Sequence, residues 1–334
     1  MNEGYLKYLD DIDYPLWDKF VHEVEGGTLF HTTVWLNKVA ILSKYNLSIL
    51  GYFDNNNVLL AGLAFTWNSK GGYKFITTPH ATRHMSILIK ESDSKYLSKK
   101  EYDYFQVAKT IIAELDKNYS HIILVNSINQ NDIRPYQWKN YKSFINYTYL
   151  ASLDNFDNFW YNFKHSIRKQ INKALKLEYR VVKQNSLEQS NKVFDLQNIA
   201  FNRKQINYPY SKSIFSDFLD FLDKNSLCTT YTIEYEGKCV AGYVILHFKD
   251  TVYLWLGGAD PNHFATGLNQ LLILKILEDC KNAGFKYFDF VGANTEGVAE
   301  YKGSYSFELV FYFGLEKING FIPRIKNFVK TYHT

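Results

Sequence analysis

The feature that most constrains this chain is a hairpin that occurs twice. Residues 47–66 read LSILGYFDNNNVLLAGLAFT, and residues 229–247 read TTYTIEYEGKCVAGYVILH. Each begins as an apolar, strand-like run and meets a polar turn, Asp54 to Asn57 in one and Glu236 to Lys238 in the other. A second run follows and carries an Ala-Gly pair, at Ala61 and Gly62 and again at Ala241 and Gly242. Apolar runs punctuated by Asn, Asp and Gly are the signal of a β-hairpin.

What comes after each hairpin also repeats. The first leads to a strand expected at 72–78, a helix at 102–118, the short apolar strand His121–Val125 and a strand near 144–150. The second leads to a strand at 251–258, a helix at 267–284, a strand at 286–291 and a strand at 305–313. A shared order of elements over such a length is the mark of an internal duplication. The expected fold class is therefore mixed α/β (α+β), with two tandem units of antiparallel strands, helix and strand. A length of 334 residues suits two domains of about 150 each. The boundaries read as 1–150 and 151–320, followed by a basic tail at 321–334. A long helix at 156–176 opens the second unit, with further helices at 187–204 and 211–225 before its hairpin.

Composition excludes several classes. A formal net charge of +4 is too small for a dedicated nucleic-acid binder. Aromatic residues make up 17% of the chain, a share that suits strands and core. Cys228, Cys239 and Cys280 have no CxxC spacing and read as reduced thiols of a cytoplasmic protein. The amino terminus, with Asp10, Asp11 and Asp13, has no signal-peptide pattern, and no stretch approaches 18 apolar residues. The tail from Phe321 carries Arg324, Lys326 and Lys330 among apolar residues, which fits a packed terminal helix or a helix lying on the inner membrane face. His80 and His84 have i, i+4 spacing without the glutamate of a zinc protease, so no metal site is expected, and neither a Gly-x-Ser-x-Gly elbow nor a Walker loop is present.

Four stretches of the second half carry polar chemistry. Ser166–Lys176 (SIRKQINKALK) is a basic helix with Arg168 and Lys169, whose apolar stripe is Ile167, Ile171, Ala174 and Leu175. Phe201–Lys204 (FNRK) places Arg203 before an aromatic segment. Gly257–Pro261 (GGADP) leads through Thr266 and Gly267 into a helix, whose start offers unpaired amides. Thr266 also suits an N-cap and Gly267 a turn. Finally Phe288–Gly292 (FDFVG) precedes Glu300–Phe307 (EYKGSYSF), with Asp289 on the opposite face from Phe288 and Phe290.

In this order the four stretches resemble the GNAT superfamily of acyl-CoA N-acyltransferases, and in particular its FemAB-like branch of tandem domains. That branch includes aminoacyl-tRNA-dependent peptidoglycan transferases. The resemblance implies an N-acyltransferase that moves an acyl group from acyl-CoA (acetyl-CoA in the simplest case) to an amine of a sugar, nucleotide-sugar or other cell-envelope precursor. It equally allows a Fem-type aminoacyl transferase using tRNA, or a degenerate, non-catalytic binding module. By the resemblance, backbone amides of Leu256, Gly257 and Gly258 hold the acyl carbonyl, and Thr266, Gly267 and Asn269 form the pyrophosphate loop. That loop lacks the family's basic residue and its last glycine. Tyr301 or Tyr305 stands where the family has its acid. Asp289, alternating with Phe288 and Phe290, is placed either to face the cleft or to anchor a neighbouring backbone turn. Arg168, Lys169, Arg203 and Lys302 are the residues implied to meet the acceptor. The region 78–100 of the first unit contains no glycine, which puts the working site in the second.

Overall fold

A computed structural model describes residues 4–203, 205 and 210–319. The tail at 321–334 lies outside the described residues. The described residues divide into two compact units, one of residues 4–146 with 311–319, the other of residues 147–310.

Unit 1 contains β1 (Tyr5–Leu9), α1 (Tyr14–Glu23), α2 (Thr33–Ser43), β2 (Asn46–Phe53), β3 (Leu59–Lys70), β4 (Tyr73–Ile76), β5 (Leu88–Ile89), α3 (Leu97–Asn118), β6 (His121–Val125), the short α4 (Arg134–Gln137) and the first half of β7 (Lys142–Ser152). Its sheet runs β1-β2-β3-β4-β6. All neighbours are antiparallel except β4 and β6, which pair in parallel. Beyond β6 the sheet is completed from the far end of the chain, because Gly314–Ile318 pair antiparallel with His121–Val125.

Unit 2 contains the second half of β7, then α5 (Phe156–Asn162), α6 (His165–Ala174), β8 (Tyr179–Lys183), α7 (Leu187–Arg203), α8 (Lys212–Lys224), β9 (Cys228–Tyr235), β10 (Lys238–Phe248), β11 (Thr251–Ala259), α9 (Leu268–Asn282), β12 (Tyr287–Asp289), α10 (Glu296–Gly303) and the start of β13 (Glu308–Ile318). Its sheet runs β8-β9-β10-β11-β12-β7, again antiparallel except for one parallel pair, β11 with β12. The two units thus share the order of an edge strand, a hairpin, a strand, a helix and a parallel strand. This is the mixed α/β, duplicated architecture that the sequence pattern implies.

The repeated Ala-Gly pairs have a packing cause. A side chain on Gly62 would meet the Trp17 ring of α1 at 2.6 Å, and one on Gly242 would meet Val193 of α7 at 3.1 Å. In each unit, glycine on the second hairpin strand lets a helix lie close against the sheet. Separate buried cores result. In unit 1, Leu63, Phe65 and Ile76 pack with Ile111 and Leu115 of α3. In unit 2, Tyr243, Ile245 and Leu254 pack with Leu272 and Ile276 of α9.

Two details depart from the sequence pattern. The helix expected over 156–176 is broken, since Phe163 has an extended ψ of 141° between α5 and α6. Phe163 is turned inward, its ring edge-on to Tyr305 at 5.3 Å, and burying that ring outweighs continuing the helix. Leu175, read as part of the apolar stripe of α6, lies just past its end and is exposed, whereas Ile167, Ile171 and Ala174 are buried.

Candidate functional site

The site grows from a strand that loses its neighbour. β11 and β12 pair in parallel only from Thr251 to Tyr253, opposite Tyr287 to Asp289. Past Tyr253, β11 continues along β10 while, among the described residues, no strand lies beside its other edge. N–H groups on such an edge must find other partners. The amide of Gly257 finds one in the side-chain carbonyl of Gln197, on α7, at 2.8 Å. Gly257 itself has φ of +149°, and a Cβ there would lie 2.3 Å from the Gly242 carbonyl oxygen, so only glycine fits. Gly258 is pressed by α7 as well, with the Leu196 carbonyl 3.0 Å from the place of a Cβ. Leu256, between β10 and this edge, pairs with Val244.

A hydroxyl–amide chain lies in the same unit. Tyr243 donates to the Asn269 side-chain oxygen at 2.7 Å, and the Asn269 amide donates to the Tyr301 hydroxyl at 2.7 Å. The Tyr301 and Tyr305 hydroxyls are 3.0 Å apart. Sequence motifs on α9 and α10 are thereby brought together. Burial pushes the phenol of Tyr243 up to about 12. Burial and the neighbouring tyrosines raise Tyr301 well above its usual range, and burial raises Tyr305. All three hold their protons at neutral pH, which suits hydrogen-bond donation.

Asp289 and Lys302 meet at another place, the turn after β12. Asp289 is buried and accepts from the Thr148 hydroxyl and, at 2.7 Å, from the Val291 amide. The Lys302 ammonium donates at 2.7 Å to each of the carbonyls of Phe290, Val291 and Gly292. Val291 and Gly292 both have positive φ, and these two side chains hold that left-handed turn in place.

The start of α9 is covered by α6. Gly267 has φ of +82°, and a Cβ on it would lie 2.1 Å from the Gln170 carbonyl oxygen of α6. The Leu268 amide meets the Thr266 hydroxyl at 3.3 Å, and the Lys173 ammonium binds the Ala265 carbonyl at 2.7 Å. A pyrophosphate at a helix start needs open amides and a clear approach. Here a carbonyl oxygen packs on the glycine, and the residues present do not fit the diphosphate of coenzyme A at this loop. On α6, Lys169 is exposed and Arg168 half-buried. Arg203, at the end of α7, lies with its guanidinium over Phe264 at 5.4 Å.

Sequence reading missed two groups. Gln197 has no local signal, because its partner is sixty residues away. Asp260 and His263 form a pair at 2.9 Å in the turn directly after β11, and their i, i+3 spacing was visible. Burial acts to raise the Asp260 carboxyl, but the Asn262 amide and His263 outweigh it and hold the group below its usual value. Such a carboxylate orients the imidazole and fixes which nitrogen faces outward. Among the described residues there is no cluster of three or more metal-ligating side chains and no helix long and apolar enough to cross a membrane.

Comparison with known proteins bears on the fold. Residues 162–303 match the family described as acetyltransferase (GNAT) domain. No curated protein matches the sequence. Among solved structures, FemX superposes with a TM-score of 0.68 at 13% identity, over 92% of this chain and 96% of FemX. A tandem GNAT protein from the clavulanic acid biosynthesis pathway gives 0.57 at 10% identity, over 96% and 100% of the two chains. The C-terminal domain of a putative lysylphosphatidylglycerol synthetase from Agrobacterium fabrum gives 0.56 at 9% identity, over 91% of each. Residues 162–303 are thus similar to a GNAT domain, and the chain shares its fold with these solved structures.

Proposed function

We propose that the chain is an acyltransferase that acylates an amine at the open edge of β11. The observation that carries this reading is the Gly257 amide, which already binds a carbonyl oxygen, that of Gln197, at 2.8 Å. An acyl carbonyl in the place of Gln197 would receive the same N–H, and the interaction strengthens as that oxygen becomes an oxyanion. The amine adds to the carbonyl carbon and loses a proton to His263, which Asp260 orients. The tetrahedral adduct then collapses, and Tyr301 gives its hydroxyl proton to the leaving oxygen or sulfur. Asn269 holds Tyr301 by donating to it, which leaves the phenolic proton to be given away.

The covered start of α9 favours one donor over another. Because Gln170 and Lys173 close the loop on which coenzyme A would place its diphosphate, an aminoacyl ester of tRNA suits the site better than acyl-CoA. Arg168, Lys169 and Arg203 supply cationic groups for phosphate oxygens of tRNA or of a nucleotide-sugar or envelope-precursor acceptor. Asp289 and Lys302 support the site through the turn at 290–292.

Thermal unfolding with bulk aminoacyl-tRNA, uncharged tRNA, acetyl-CoA and desulfo-CoA tests this, since a ligand that binds only the folded state raises its midpoint. The expected result is a larger shift with aminoacyl-tRNA than with uncharged tRNA, and none with either coenzyme. A shift with acetyl-CoA would restore the thioester donor. No shift with any of them would leave a binding module without transfer activity.

A further inference from the structure

Unit 1 presents a surface that its own core does not use. α3 buries Val107, Ala108, Ile111, Ile112 and Leu115. Its opposite side, spaced at three and four residues, reads Lys99, Tyr102, Gln106, Lys109, Ala113 and Lys117. Lys109 is half-buried, the other five are exposed, and no acid stands in the row.

Large apolar side chains gather at the amino-terminal half of this side. Leu97 is 80% exposed, Tyr96 62%, Tyr102 55%, and Trp138, just past α4, 51%. Phe105 connects them, one helical turn from Tyr102 and with its ring 4.8 Å from that of Trp138. Cations lie over the exposed rings. Lys95 stands 5.1 Å from Tyr96, Lys99 5.2 Å from Tyr102, and Lys109 4.9 Å from Trp138. Exposed apolar groups that adjoin one another mark a contact surface.

The charge of this surface is positive. Glu91 pairs with Lys100, Asp103 with Lys99, and Glu101 and Asp132 with Arg134. Among the described residues, Lys95, Lys109, Lys117 and Lys139 have no carboxylate partner, and only Asp93 and Glu114 beside them lack a cation. Tyr and Trp join an apolar ring to a polar tip, and Lys joins an apolar stem to a charged head. Both kinds of side chain settle at the boundary between water and lipid. A nucleic acid would take the rings by stacking and the lysines by charge. It offers nothing to Leu97, an aliphatic side chain almost wholly in solvent, whereas acyl chains do.

We propose that this side of α3, with Tyr96, Leu97 and Trp138, docks unit 1 on a bilayer surface that carries anionic lipid. Leu97 and the three exposed rings enter the headgroup layer, and Lys95, Lys109 and Lys139 meet lipid phosphates. The docking does not rest on acyl transfer in unit 2.

Co-sedimentation of the full chain with vesicles of phosphatidylcholine alone, or of phosphatidylcholine mixed with phosphatidylglycerol, tests the proposal. The chain should bind the anionic vesicles about tenfold more tightly than the neutral ones, and added salt should release it. Leu97→Glu and Lys109→Glu should each weaken that binding about tenfold, with the unfolding midpoint unchanged. Tryptophan emission should shift to the blue on anionic vesicles, and Trp138→Phe should remove the shift. If the chain does not sediment with anionic vesicles, or if both charge-bearing variants sediment as the parent does, the proposal falls. It falls as well if Leu97→Glu weakens the binding of uncharged tRNA and leaves vesicle binding intact, since the surface would then serve nucleic acid.

Discussion

The Gln197 side-chain carbonyl lies 2.8 Å from the Gly257 amide nitrogen, on the edge of β11 that no strand among the described residues covers past Tyr253. In the proposed reaction it occupies the seat of the acyl oxygen, so the residue must withdraw when a donor enters. Gln197→Leu keeps the bulk and removes the acceptor. Its expected cost is about 1 kcal/mol, since a part-buried N–H loses its partner, and it should appear as a lower unfolding midpoint. Aminoacyl-tRNA should at the same time bind the variant more tightly, about tenfold for each 1.4 kcal/mol of competition removed. Weaker binding would mean that Gln197 helps to hold the donor.

Gly267 offers a contrast between the two roles considered for it. With φ of +82° and the Gln170 carbonyl 2.1 Å from the place of a Cβ, it is first a contact between α6 and α9. Gly267→Ala should therefore destabilise unit 2 by more than about 2 kcal/mol, combining a left-handed backbone cost with a steric one. Urea unfolding measures it directly. An unchanged midpoint would show that α6 yields easily, and the loop would again be open to a diphosphate.

Tyr301 and Tyr305 differ in what their hydroxyls touch. Tyr301 links Asn269 to Tyr305, whereas Tyr305 is fully buried among Phe163, Phe290 and Phe307. Tyr301→Phe should lower the transfer rate by about 10²–10⁴-fold, the usual worth of a general acid, with little change in donor binding. Tyr305→Phe should cost stability of about 1 kcal/mol and much less rate. Equal effects on rate would shift the acid to the pair acting as one unit.

Much of the fold was legible because hairpins write themselves locally. Period-two apolar runs and the Asp, Asn and Gly turns mark β2 with β3 and β9 with β10, and the Ala-Gly pairs mark where a helix lies close. The edge strands β1 and β8 carry no such mark, since Tyr5 to Leu9 and Tyr179 to Lys183 bury few side chains and are held mainly by backbone pairing. The break at Phe163 depends on Tyr305 and Phe307, some 140 residues on, and no local propensity reports it. The site divides in the same way. Asn269, Tyr301 and Tyr305 stand out by their place in motifs, while Lys302, a cation expected at the acceptor, is tied to three backbone carbonyls that only the folded turn brings together.

Unit 1 should lose stability on mild acidification. Burial, with the nearby His31 and Arg83, holds His84 far below the usual imidazole value, and burial and Arg83 lower His80 to about 4. In the unfolded chain both take up a proton near pH 6.5. Below that pH the unfolded state binds more protons than the folded one, so stability is complete above about 6.5 and falls as pH drops toward the folded values. From pH 7 to pH 5, before most carboxylates titrate, His84 alone should remove about 2 kcal/mol. Urea midpoints measured across that range check the slope, and His84→Asn should reduce it by about half, leaving the share of His80. A midpoint that stays level from pH 7 to pH 5 would mean that His84 gains its proton inside the fold. In that case its Nδ1 would have to find an acceptor, and Asn126, across the Met85–Val125 bridge, carries a buried side-chain oxygen without a partner.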